Sequence, residues 1–91
     1  MFPKVVQVIP MKNYLVYVYF EDGKIVCYDM SHMIEKEAFC ILKDMDIFMD
    51  TCTVMNDTLA WDIKKNRDNT SCLDIDPDTL YELPYVKEQI A

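Results

Sequence analysis

Tyr14-Leu-Val-Tyr-Val-Tyr-Phe-Glu-Asp-Gly-Lys-Ile-Val-Cys-Tyr28 is the stretch that decides the fold. Residues 14–20 are rich in β-branched and aromatic side chains, as a strand requires. Residues 25–28 repeat that character after a break. Asp22-Gly23 between two such runs predicts a β-hairpin closed by a two-residue type I′ turn, with both loop residues at positive φ. The chain's one glycine stands at that turn. This loop pairs Glu21 with Lys24, Phe20 with Ile25, Tyr19 with Val26, Val18 with Cys27 and Tyr17 with Tyr28. Side chains alternate along a strand, so the register sorts two faces. Val16, Val18, Phe20, Ile25 and Cys27 form the expected core face. Tyr17, Tyr19, Val26 and Tyr28 form the other. Either the chain's own helices cover that second face or it is a protein contact surface, for which Tyr17, Tyr19 and Tyr28 are the candidates.

Outward from this hairpin, residues 5–9 between Pro3 and Pro10 read as a short strand. Ser31, with Glu35 nearby, opens a helical stripe of Met33, Ile34, Ala38, Phe39, Ile41 and Leu42 that runs to Lys43. Asp44-Met45-Asp46 starts a short helix over residues 47–51. Residues 52–55 and 58–63 form a second hairpin, whose Asn56-Asp57 turn tolerates positive φ. Residues 64–71 are a polar loop and 72–75 a brief extended piece. Asp76 is placed to cap a helix that Pro77 begins and Pro84 ends. Residues 86–91 are expected to fray. The whole, 1–91, reads as one α+β domain: a small, mainly antiparallel sheet of about five strands with two or three short helices.

Composition narrows the function. A single glycine excludes the glycine-rich phosphate cradles. The net charge of −7 is graded: 0 over residues 1–43, −3 over 44–65 and −4 over 66–91. Nucleic-acid affinity rests on neutralising phosphates, so DNA or RNA is not expected as a partner; the acidity either only keeps a small protein soluble, the favoured reading, or suits a basic partner. No apolar run approaches the roughly 20 residues of a membrane span, and no membrane partner is expected. Cys27, Cys40, Cys52 and Cys72 show no zinc-site spacing. The opening Met-Phe-Pro-Lys has no apolar signal-peptide region, so the four cysteines read as reduced, mostly buried thiols of a cytoplasmic protein.

The run from Trp61 to Leu83 concentrates the only Trp, the only Arg and a dense set of Asp and Asn. Asp74, Asp76 and Asp78 match the opening of a calcium loop, but Thr79 and Tyr85 stand where its Gly and Glu belong, so no metal is expected. Asn66-Arg67-Asp68 is the candidate binding site. Arg67 either pairs with a carboxylate and pins its loop or receives an anionic ligand. His32 has no orienting partner in sequence and reads as a surface residue. Cys40 and Cys52 flank apolar residues and read as inert. Met30, Met33, Met45, Met49 and Met55 read as core filling. No catalytic residue and no cofactor emerge, so an enzyme is not expected.

Val16, Val18, Phe20, Asp22-Gly23, Asp29, Phe39, Leu42, Asp44, Phe48, Trp61, Asn66-Arg67-Asp68 and the run Leu73-Asp-Ile-Asp-Pro-Asp-Thr-Leu-Tyr81 together resemble the DUF 2442 family of small bacterial and archaeal proteins. The resemblance spans residues 4–85. It implies a small α+β domain of unknown function, alone or joined to a helix-turn-helix segment. It also implies a gene neighbour from another small uncharacterised family, as in a toxin–antitoxin-like pair. No basic helix-turn-helix is present here, so DNA binding does not carry over. The expectation is a protein-interaction module whose partner is the product of an adjacent gene, or a second copy in a homodimer. The alternative is a small-ligand or enzymatic domain using Asn66, Arg67 and Asp68.

Overall fold

A computed structural model of the chain describes residues 3–68 and 72–86. Strands β1 (Val5–Pro10), β2 (Leu15–Phe20) and β3 (Ile25–Asp29) form one antiparallel sheet in the order β1-β2-β3. Strands β4 (Cys52–Met55), β5 (Thr58–Trp61) and β6 (Leu73–Asp74) form a second, ordered β4-β5-β6. The architecture is α+β, with two three-stranded sheets in place of one sheet of about five strands. The sheets stay separate because the second hairpin meets β1 with its tip. Val5 N–H donates to the Asp57 carbonyl at 2.9 Å, a point contact rather than a ladder. Glu21 N–H donates to the Lys4 carbonyl at 2.8 Å, so both hairpin tips grip the start of β1.

The β2–β3 turn differs from the expected one. Gly23 sits at φ +96°, and Asp22 is not among the residues at positive φ. Gly23 N–H donates to the Phe20 carbonyl at 3.0 Å, and Phe20 N–H to the Lys24 carbonyl at 2.9 Å. The loop is therefore Glu21-Asp22-Gly23: a turn followed by a glycine bulge, the usual three-residue hairpin connection. Asp22 Oδ1 accepts the Lys24 N–H at 2.9 Å and holds the bulge. The added loop residue slips the register by one, giving Tyr19–Ile25, Val18–Val26, Tyr17–Cys27 and Val16–Tyr28. A one-residue slip exchanges the faces of β3. Val26 is fully buried and Tyr28 packs on the core, while Ile25 and Cys27 move to the opposite face beside Tyr17 and Tyr19. The two-residue type I′ geometry occurs instead in the second hairpin, where Asn56 (φ 55°) and Asp57 (φ 60°) join Met55 to Thr58.

The stripe over residues 33–43 folds as two 3-10 helices, Met33–Glu35 and Glu37–Lys43. Ser31 caps neither; its N–H is taken by Asp29 Oδ1 at 2.8 Å. Lys36 is extended and breaks the run. Period three turns Phe39 and Leu42 inward and leaves Ile41 42% exposed. Helix α1 (Met45–Thr51) begins two residues before the expected 47–51, capped by the Asp44 carboxylate, and α2 (Pro77–Tyr81) is capped by Asp76, as its sequence predicts.

One core joins these parts. Trp61 of β5 is fully buried, and its ring centroid lies 5.6 Å from that of Phe48 on α1. Tyr14, before β2, also meets Phe48, in a T-shaped contact at 5.3 Å. The Trp61 Nε1–H donates to the Phe48 carbonyl at 3.1 Å, and the Tyr14 hydroxyl to the Lys43 carbonyl at 2.6 Å. An unmet indole N–H at that depth would cost about 1–3 kcal/mol. Met30 and Met55 are buried as expected, but Met49 is 37% exposed.

No atom lies within 4 Å of a Cβ built on Gly23, so replacing it tests backbone strain alone. Gly23→Ala should cost roughly 1–2 kcal/mol. Urea unfolding should show a lower midpoint with an unchanged slope.

Candidate functional site

Asn66, Arg67 and Asp68 lie exposed in the turn that follows β5. The turn is built by Lys65 and Arg67, both left-handed, at φ 53° and 57°. Its anchor is Asp62, 7% exposed, whose Oδ2 accepts the Arg67 N–H at 3.0 Å. Asn66 Oδ1 accepts the Asp68 N–H at 3.0 Å. The loop is thus pinned through the backbone of Arg67 rather than through its charge. The guanidinium reaches across to β4 and donates to Thr53 Oγ1 at 3.3 Å. Residues 69–71 of the expected loop, and 87–91 of the expected frayed tail, lie outside the described residues.

The tyrosine candidates separate. Tyr17 and Tyr19 share a face; Tyr28 lies on the other one, against the core, because of the three-residue loop. The face that keeps Tyr17 and Tyr19 has two rows across the sheet: Ile9, Tyr17 and Cys27, then Gln7, Tyr19 and Ile25. Leu15 adds a further apolar side chain. All but Gln7 are half-buried, and none of them belongs to the core cluster.

Two concavities adjoin other elements. One, of about 570 Å³, lies beside α1 between Ile47, Met49 and Ile63, with the Asp50–Lys65 ion pair in its wall. The other, of about 370 Å³, lies between the β2–β3 tip and α2. Neither is lined by Asn66, Arg67 or Asp68. In the second, the Tyr81 hydroxyl donates to Asp22 Oδ2 at 2.6 Å. The Tyr81 ring packs edge-on against Phe20 at 4.9 Å. Lys24 Nζ lies 4.3 Å from the ring centroid and donates to the Tyr81 carbonyl at 2.5 Å. This Asp22–Lys24–Tyr81 tether had no local signal in the sequence. Its members stand 57 and 59 residues apart, and the expected register gave Lys24 to Glu21.

The thiols are less buried than expected. Cys40 is exposed, and Cys27, Cys52 and Cys72 are half-buried; none of the four forms a disulfide among the described residues. Burial pushes the Cys52 thiol up to about 12. Burial, aided by the Asp29 charge, raises Cys27; burial and then Asp74 raise Cys72. These three are protonated at neutral pH and poor nucleophiles. His32 is exposed ahead of the first 3-10 helix. Among the described residues no helix is long and apolar enough to cross a membrane.

Compared with protein-family models, curated proteins and solved structures, the chain matches none.

The tether titrates at both ends of the pH scale. The Tyr81 hydroxyl, then the Lys24 N–H, hold the Asp22 carboxyl below its ordinary 3.8. The hydrogen bond to Asp22 holds the Tyr81 phenol above its ordinary 10.0. A lowered acid stabilises the fold above its unfolded value and loses that contribution as pH falls through the folded one. A raised phenol stabilises below its unfolded value and loses it as pH rises through the folded one. The stability difference between the parent chain and Tyr81→Phe, read by urea titration, should therefore be largest between 3.8 and 10.0 and shrink beyond both limits.

Proposed function

We propose that the chain is a non-catalytic protein-interaction module of the cytoplasm, one member of a toxin–antitoxin-like pair whose other member is the product of an adjacent gene. The observation that carries this reading is the outer face of the first sheet. There Ile9, Leu15, Tyr17, Tyr19, Ile25 and Cys27 lie together outside the core. A flat face of Tyr flanked by aliphatic side chains combines contact area with a polar tip, the composition favoured at interface centres. The −7 charge favours a basic partner and repels nucleic acid. Membership of the DUF 2442 family is part of the same proposal and rests on the residues quoted for it above.

The ligand-binding alternative at Asn66, Arg67 and Asp68 is the weaker reading. The Asn66 side chain and the Arg67 N–H are already consumed in shaping their own turn. A homodimer would use the same sheet face as the heterocomplex, and light scattering separates the two.

Co-expression with the adjacent gene's product should give a complex that survives size-exclusion chromatography. Tyr17→Glu should weaken it by roughly tenfold or more, about 1.4 kcal/mol, while leaving the circular dichroism spectrum unchanged. A chain that stays monomeric by light scattering at high concentration and forms no complex with that product would overturn the proposal.

A further inference from the structure

The concavity between the β2–β3 tip and α2 is built from residues that the sheet face does not use. Its wall is apolar: Tyr81, Phe20 and Pro3. Its rim carries Glu21 and Asp22 from the hairpin tip and Asp78 and Glu82 from the far side. Asp78 and Glu82 stand four residues apart at α2, a like-charge spacing that weakens a helix when nothing lies between the two. Asp22 is committed to Tyr81 and to the Lys24 N–H. Glu21, Asp78 and Glu82 enter no ion pair among the described residues. Of the neighbouring cations, Lys4 is drawn towards Asp57 at 4.0 Å and Lys24 is held at the Tyr81 ring and carbonyl.

Carboxylates alone make no site. These ring an apolar wall, and the pairing suits one kind of group: a positive head on a methylene stem. The chain displays that chemistry within itself, since Lys24 lays its ammonium over the same Tyr81 ring. At about 370 Å³ the groove is at the small end of ligand sites, the size of one long side chain with its flanking backbone.

We propose that this groove seats an arginine or lysine side chain of a basic partner segment, its stem on Tyr81 and Phe20 and its charge between Glu21, Asp78 and Glu82. Arginine is favoured over lysine, because its planar head is less strongly hydrated and can engage two carboxylates at once. This occupant defines the partner's chemistry independently of the sheet face, and the two surfaces fail separately.

The probe is an acetylated, amidated tetrapeptide with one arginine flanked by leucine and alanine, titrated into the 15N-labelled chain. Saturable amide shifts should concentrate at residues 20–24 and 78–82 and weaken with added salt. Citrulline in place of arginine should abolish them. Asp78→Asn with Glu82→Gln, both exposed and outside the core, should lower the affinity roughly fivefold while the remaining amides keep their positions. Tyr17→Glu should leave this binding unchanged even where it breaks the complex at the sheet face. Shifts that fail to saturate, that spread over all acidic surfaces, that persist with citrulline, or an affinity left unchanged in the double variant would overturn the proposal.

Discussion

Gly23 at φ +96° lets three residues turn the first hairpin, and the arrangement around it follows from that count. Phe20 pairs with Lys24 across the loop, so Val26 and Tyr28 fall on the core side of β3. Ile25 and Cys27 then join Tyr17 and Tyr19 on the outer side. The same register carries Lys24 over the Tyr81 ring, while Asp22 receives the Tyr81 hydroxyl. A two-residue loop would turn Lys24 to the other side of the sheet and leave α2 without its cation. One backbone conformation thus sets the composition of the outer face and the docking of the last helix.

The second hairpin is held by burial rather than by its turn. Trp61 fills the space beside Phe48 and donates its N–H to the carbonyl of the same residue. Tyr14 closes the stack from the first sheet. The stack spans both sheets and α1, so the two sheets share one core without sharing a ladder. In a chain of this length a single core must serve both, since neither hairpin buries enough surface to stand alone.

Much of this was legible locally. Asp44 and Asp76 announce their helices because capping is a matter of two or three residues. The strands around Tyr17, Cys52 and Leu59 follow from β-branched and aromatic content. Trp61 and Leu80 are core residues, as their apolar bulk suggests. Asp22-Gly23 does not settle its loop length, because the dipeptide serves both: Gly at the second position of a two-residue turn and Gly at the bulge of a three-residue one look alike. Tyr28 was lost from the tyrosine face through that slip alone. The 3-10 form of residues 33–43 was hidden because Phe39 and Leu42 satisfy a helical stripe of either period. Asp62, the buried anchor of the Arg67 turn, carries no mark in the sequence that separates it from the exposed acids around it. The tether of Asp22, Lys24 and Tyr81 depends on long-range closure, which no local pattern encodes.

The interaction reading and the groove reading both depend on which side chains the register turns outward. In an antiparallel pair the α-protons of non-hydrogen-bonded partners approach closely, and those of hydrogen-bonded partners do not. Phe20 and Lys24 are hydrogen-bonded partners, so Tyr19–Ile25 and Tyr17–Cys27 are the close pairs. A two-dimensional NMR experiment on the native chain should show Hα–Hα cross-peaks between Tyr17 and Cys27 and between Tyr19 and Ile25. Cross-peaks between Val18 and Cys27 and between Phe20 and Ile25 instead would restore the two-residue turn, return Tyr28 to the outer face and contradict the assignment of both surfaces.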